Sequence, residues 1–422
     1  MKKILILLFF PVQMAFGQNS VSLDSCYQWA RENYPNLQQA GIWHEMTQLK
    51  KENLKTAYLP QVSLNGQATY QSDVTKVNID LPNMSIPTVS KDQYKAFAEF
   101  RQTIWDGGLT AANVHLEDVL LQNHLSELEV ELYKLNEQVA RAFFTALVVE
   151  KQAEVVDAQK KVLSEKLSSV ESAIRNGTAE KTAALEIKAE MLNLEQHKIQ
   201  LGAAKNSAIQ MLSILTGKNI NQEAEFNFRE KPVLPGKNLS RPEQVLFSNQ
   251  KAQLETQMEL LDKSRNPKLF GFGQAGYGKP GLNMLKNEFE PYYLVGIGLA
   301  WNVFDWNKTS RQKQVLTLQQ DMIQKQEETF SQNIQLLLAQ QQEQIRKLET
   351  MLKTDLEMVE LRTEITKSAA SKLENEFITA SDYIRELQAE TVAKLNIELH
   401  KIQLSEAKEK YRFFYGESFG TR

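Results

Sequence analysis

Residues 121–174 read LQNHLSELEVELYKLNEQVARAFFTALVVEKQAEVVDAQKKVLSEKLSSVESAI. Apolar side chains recur there at spacings that alternate four and three: Leu121, Leu125, Leu128, Leu132, Leu135, Val139, Ala142, Ala146, Val149, Ala153, Val156, Leu163, Leu167, Val170 and Ile174, with Lys160 as the one lapse. A 3.5-residue repeat keeps one seam turned toward a partner helix, so it calls for supercoiling against other helices. No Pro or Gly falls between Gly108 and Gly177. The stretch therefore predicts one helix of about 65 residues, roughly 100 Å at 1.5 Å per residue, far beyond an ordinary globular helix.

Two alternating stretches precede this rod. Val62, Leu64, Gly66, Ala68 and Tyr70 alternate with Ser63, Asn65, Gln67, Thr69 and Gln71, giving a two-faced strand of membrane-spanning length. Ala96, Ala98, Phe100 and Ile104 alternate with Lys95, Glu99, Arg101 and Thr103 in a second. Ser72 to Lys91 reads as a loop between them, and Leu23 to Tyr58 as a polar helix stopped by Pro60. Asp106-Gly107-Gly108 turns the chain into the rod, Asn176-Gly177 ends it, and a returning helix runs from about Thr178 to Thr216 before Gly217.

The same order then begins again. Pro35 and Pro60 recur as Pro242 and Pro267, Val62, Ala68 and Tyr70 as Leu269, Ala275 and Tyr277, and Ile104-Trp105-Asp106 as Val303-Phe304-Asp305. A fourth strand carries Val295, Ile297, Leu299, Trp301 and Val303, and the second rod has Gln341, Asp355 and Arg362 where a strict seam would be apolar. The expected plan is a signal peptide at 1–17, a first repeat at 18–217 (strands about 61–71 and 94–105, long helix about 108–175) and a linker at 218–240. A second repeat at 241–416 follows (strands about 268–278 and 292–304, long helix about 308–376), with a tail at 417–422.

The signal rests on Lys2 and Lys3, the apolar run Ile4 to Phe10, and Ala15-Phe16-Gly17. A net charge of −3 offers nothing for nucleic acid. Cys26, alone, cannot form an internal disulfide or a thiolate cluster. His44, His115, His124, His197 and His400 are scattered, and there is no phosphate loop or serine elbow, so neither an enzyme nor a cofactor or metal is expected. No segment is apolar for long enough to span a membrane as a helix. Any insertion must be by strands, and four strands cannot close a barrel; several chains must share one.

The doubled order, the strand-ending Ile104-Trp105-Asp106-Gly107-Gly108 and Val303-Phe304-Asp305-Trp306-Asn307, and the Gly177-Thr178 hairpin together resemble the TolC-like outer membrane efflux proteins, over the whole mature chain. The resemblance implies a transmembrane β-barrel joined to α-helices: a homotrimer with a twelve-stranded barrel in the outer membrane of a Gram-negative bacterium and a coiled-coil tunnel reaching into the periplasm. It implies an exit duct of a tripartite efflux or type I secretion system, fed by a periplasmic adaptor and an inner-membrane ABC or proton-driven pump. The competing class is a periplasmic coiled-coil scaffold or adaptor without a pore.

By position in that family, Asp382, Glu376 and Glu374 are the candidate entrance or gate. Asn176, Gly177, Thr178, Phe377, Ile378 and Thr379 are the candidate adaptor-contact tips, with Phe377 standing where a glycine is usual. Asp382 follows Thr379 by three, the spacing of a capping box, which is the better account of its residue type and leaves room for a gate role as well. Glu374 and Glu376 also read as solvated helix-end residues, with Lys372 paired to Glu376. Glu99 and Arg101 fall on the face assigned to the barrel lumen, as part of a solvated interior. Tyr70, Tyr277, Tyr292, Tyr293 and Trp301 are candidate interfacial anchors as well as ordinary strand residues.

Overall fold

A computed structural model describes residues 20–75, 88–232 and 241–417. The signal segment at 1–17, residues 76–87 of the first strand connection, linker residues 233–240 with Pro235 and Gly236, and tail residues 418–422 lie outside the described residues.

The chain opens with a short strand β1 (Ser20–Ser22) and two helices, α1 (Leu23–Asn33) and α2 (Gln39–Lys55). The continuous helix expected over 23–58 is broken at Tyr34, whose extended backbone precedes Pro35, as steric clash with a following proline ring requires. Strands β2 (Gln61–Tyr70) and β3 (Asp92–Trp105) lead into α3 (Leu109–Arg175), and α4 (Lys181–Thr216) returns. After the three-residue β4 (Glu225–Asn227), inside the expected linker, come α5 (Pro242–Ser264), β5 (Lys268–Lys279), β6 (Glu290–Ala300), α6 (Lys308–Glu374) and α7 (Ala380–Tyr415). Both long helices have 67 residues and both returning helices 36. β6 stops at Ala300, so Trp301 and Val303 lie beyond it. No described helix is long and apolar enough to cross a membrane.

The chain divides into two compact units. One comprises residues up to Leu37, Glu129–Pro242 and the chain from Phe330 onward. Its interior is the heptad seam of α3, with Val149, Val156, Leu163 and Val170 packed against Ala184, Ile187, Leu194 and Leu201 of α4, Ala369 of α6, and Tyr383 and Leu387 of α7. Lys160, the lapse in the seam, forms an ion pair with Glu195 of α4. β1 pairs in parallel with β4, and Phe226 of β4 meets Phe143 edge-on at 5.5 Å. Around residues 130–149 α3 is buried on more than the seam, through Val130, Tyr133, Ala140, Phe143, Phe144 and Leu147.

The other unit, Gln38–Leu128 with Glu243–Thr329, holds an antiparallel sheet in the order β2-β3-β5-β6. Each strand pair connects to a long helix through an aspartate. Asp106 accepts hydrogen bonds from the Thr110 N–H (2.7 Å), the Gly108 N–H (3.0 Å) and the Tyr58 hydroxyl (2.7 Å), so one carboxylate satisfies the open donors of the first turn of α3. Burial pushes this carboxyl upward, but hydrogen bonds from Thr110, Tyr58 and Gly108 outweigh it and hold it below the usual range. Asp305 repeats the cap, accepting from the Thr309 N–H at 3.0 Å. Gly107 and Gly108 have φ of +73° and +87°, and Trp306 and Asn307 take +54° and +58° at the equivalent turn.

Candidate functional site: sheet faces and hairpin tips

Register divides the sheet into two chemically distinct faces. Val62, Leu64, Gly66, Ala68 and Tyr70 of β2 share a face with Tyr94, Ala96, Ala98 and Phe100 of β3. Leu269, Gly271, Gly273, Ala275 and Tyr277 of β5 and Tyr293, Val295, Ile297 and Leu299 of β6 complete it. Polar side chains enter this face only at its margins, as Asp92, Gln102 and Lys279. It is also exposed: Leu64 is 85% accessible and Ile297 73%. A register shift between Thr103 and Trp105 pairs Trp105 with Leu269, bringing this indole onto the same face.

Glu99 and Arg101 lie on the opposite face, Glu99 in register with Ser63 and Gln274, and Arg101 with Gln61 and Phe272. That face also carries Asn65, Gln67 and Lys95, but not polar residues alone. Arg101 sits 4.3 Å over the Phe270 ring. The rings of Phe270 and Phe272 cover Gly298 and Gly296, where an added Cβ would come within 2.5 and 2.6 Å of ring carbon. Tyr292 belongs to this face too, which removes it from any row with Tyr70, Tyr277 and Tyr293. Trp301 lies past the strand, its indole N–H donating to the Arg265 carbonyl at 3.1 Å.

The helical hairpin tips belong to the first unit. At the end of α3 the Thr178 N–H donates to the Ala173 carbonyl (2.9 Å) and the Gly177 N–H to that of Ile174 (3.1 Å), with Gly177 at φ +75°: a Schellman stop. The end of α6 repeats it bond for bond, Phe377 to Lys372 (2.8 Å) and Glu376 to Leu373 (3.1 Å), with Glu376 at φ +62°. The residue equivalent to Gly177 is therefore Glu376 and not Phe377, and the second tip holds a residue with a Cβ in a conformation that only glycine adopts without strain. Asn176 and Asn375 occupy equivalent places one residue earlier.

Asp382 forms a capping box with Thr379: its carboxylate accepts from the Thr379 N–H (3.2 Å) and hydroxyl (2.8 Å), while the Asp382 N–H donates to the Thr379 Oγ1 (3.2 Å). The Thr379 hydrogen bonds, side chain and then backbone, with Arg385 nearby at 3.3 Å, hold this carboxyl below its usual range. Ile378 packs against the seam core, whereas Phe377 is 79% exposed. Lys372 forms no ion pair with Glu376 among the described residues; Glu374 instead meets Lys166 at 3.0 Å.

Lys166 is the residue that sequence pattern missed. It is 8% exposed, its ammonium donates to the Glu374 carboxylate and the Ala370 carbonyl (3.3 Å), and it lies 5.5 Å from the Tyr383 ring. One cation thus ties α3 to the ends of α6 and α7. Its only sequence signal was its position beside the seam, between Leu163 and Val170, where a lysine stem is covered by apolar neighbours. A groove of about 690 Å³ opens between the tips, lined by Lys166, Gly177, Glu180, Glu186, Glu374 and Glu376 among others, and its balance is acidic.

Comparison with known proteins bears on this arrangement in two ways. Residues 26–218 match the family described as outer membrane efflux protein. Among solved structures, the chain is similar to the outer membrane protein VceC of Vibrio cholerae (15% identity, TM-score 0.64, covering 94% of this chain and 96% of that one). It is similar also to the MtrE outer membrane channel of Neisseria gonorrhoeae (13%, 0.67, 93% and 88%) and the CmeC outer membrane channel of Campylobacter jejuni (12%, 0.64, 93% and 85%). No curated protein matches in sequence. The resemblance to TolC-like outer membrane efflux proteins is thereby shown, and at these identities the solved structures speak for the fold.

Proposed function

We propose that this chain is an outer-membrane exit duct: a homotrimer whose twelve strands close one barrel and whose helices form a periplasmic tunnel. Substrate delivered by a periplasmic adaptor and an inner-membrane pump passes through it passively. The observation that carries this function is the sheet face running from Val62 to Leu299, apolar across all four strands and open to its surroundings. Such a face is stable against hydrocarbon and not against water. The sheet's outer strands, β2 and β6, carry unpaired edges, which lipid does not tolerate, and pairing β6 of one copy with β2 of the next removes every edge. A pore-free periplasmic scaffold gives this apolar face no role.

Within this duct, Glu374, Glu376 and Asp382 are the gate candidates, and Lys166 is the cation that restrains Glu374. Asn176, Gly177, Thr178 and exposed Phe377 offer the adaptor contacts; Ile378 and Thr379 serve the fold of the tip, as core and cap. The gate assignment is tested by ion conductance of the purified protein in planar bilayers. Charge reversal of Glu376 and Asp382 to Lys should raise the conductance of the resting channel, as should Lys166→Met. Unchanged conductance in all three variants removes these residues as the gate while leaving the duct itself standing.

A further inference from the structure

The β5–β6 connection, residues 280–289, exposes a cluster of large apolar side chains, with Asn283, Lys286 and Glu288 exposed among them. Leu282, Met284 and Leu285 are each more than half accessible and Phe289 about half. The loop is pinned at its base: the Asn287 side-chain oxygen accepts from both the N–H and the hydroxyl of Ser90, each at 2.9 Å, and Lys286 pairs with Glu290 at 2.7 Å. Its return leg also has a defined side. Phe289 stacks on Tyr277 (5.7 Å, 16°) and on Tyr94 (6.4 Å, 30°), both members of the apolar face. These rings, with Tyr70 and Tyr293, form a diagonal row that steps two residues per strand along the margin nearest this loop. Lys279 lies on that same face, in register with Tyr94.

We propose that this loop is a lipid-binding element: Leu282, Met284 and Leu285 enter the acyl region of the outer leaflet beside the tyrosine row, and Lys279 sits at the level of the lipid phosphates. The proposal rests on the assignment of the apolar sheet face to lipid. The occupant follows from continuity. Phe289, stacked on Tyr277 and Tyr94, carries the apolar face past Lys279 into the loop, the cation stands at the boundary where an amphipathic stem reaches head groups, and tyrosine rings favour that same depth. A loop folded over the barrel mouth would instead place three aliphatic side chains in water.

The test uses the full-length protein in phospholipid nanodiscs. Cys26 is fully buried, so Leu282→Cys, Leu285→Cys, Val295→Cys and Glu376→Cys variants each accept an environment-sensitive fluorophore at one site. Labels at 282 and 285 should show blue-shifted emission and quenching by doxyl-labelled lipid comparable with that at 295, while the label at 376 stays open to aqueous iodide. Lipid quenching at 295 with iodide quenching at 282 and 285 overturns the loop proposal and leaves the membrane-facing sheet intact. Iodide quenching at 295 as well overturns the sheet assignment, and the loop proposal with it.

Discussion

Glu376 is the residue whose backbone contradicts its side chain. At φ +62° it does the work that Gly177 does at +75°, with the same pair of stop bonds around it. A left-handed conformation costs a residue with a Cβ about 1–2 kcal/mol. Glu376→Gly should therefore raise the thermal midpoint and slow amide exchange over 373–379, while Glu376→Gln, which removes the charge and keeps the Cβ, should do neither. Equal stabilisation by both variants would mean that acidic repulsion in the groove, and not backbone strain, sets the cost. Asp106 makes the opposite case, a side chain matched to its place. Its folded pKa lies below the ordinary unfolded value, so its contribution is fully present above about pH 4 and is lost as pH falls through the folded value. Asp106→Asn should cost about 1–2 kcal/mol near neutrality and flatten that acid dependence, checked by thermal unfolding at neutral and acid pH. Sequence made the Thr379–Asp382 cap legible, because a three-residue spacing is a local signal, whereas Asp106-Gly107-Gly108 marked the turn into α3 without marking its carboxylate as the cap. It could not place Glu376 in the left-handed region, since nothing in the letters Glu-Asn-Glu-Phe marks which residue bends. Lys166 was hidden for a different reason: its partners, Glu374 and Ala370, are about two hundred residues away.

At the scale of elements, periodicity predicts best where one face alone is in contact. β2 lies where the alternation begins at Gln61 and Val62, because its two faces differ in every residue pair. In β6 the glycines at 296 and 298 blur that contrast, and the apolar face could be read without revealing that Phe272 and Phe270 of the neighbouring strand fill the other. The heptad reading of α3 found the seam and missed the additional burial near Phe143 and Phe144, where the β1–β4 pair packs beside it; two three-residue strands carry no periodicity to detect. The faces of the sheet differ enough to be separated by one charge. Val295→Lys or Ile297→Lys, central on the apolar face, should cost about 2–4 kcal/mol in a bilayer and sharply reduce the yield of membrane-embedded protein. Glu99→Lys, on the opposite face, should leave that yield near the parent level. Equal loss from both faces would mean that neither is exposed to lipid.

At the scale of the molecule, one chain leaves three kinds of surface unfinished, and a single symmetric assembly can complete them all. The sheet has two open edges. The helix α4 exposes Leu185, Leu192 and Ile199 at seven-residue spacing, and α6 exposes Val315, Met322 and Leu336 in the same register. A seam of that period is a surface for another helix. Closed rotational symmetry lets identical edges and seams meet in a ring with none left over, whereas an open arrangement would leave an edge at each end. The order of three follows if the shared barrel has twelve strands, four from each copy. Detergent-extracted protein should then have the mass of a trimer by light scattering and run as a compact species that shifts to monomer on boiling. Lysine in place of both Leu192 and Ile199 should weaken that trimer in proportion to how far the helices, beyond the strands, hold it together. A monomer that stays soluble without detergent would remove the shared barrel, and with it the reason for an apolar face four strands wide.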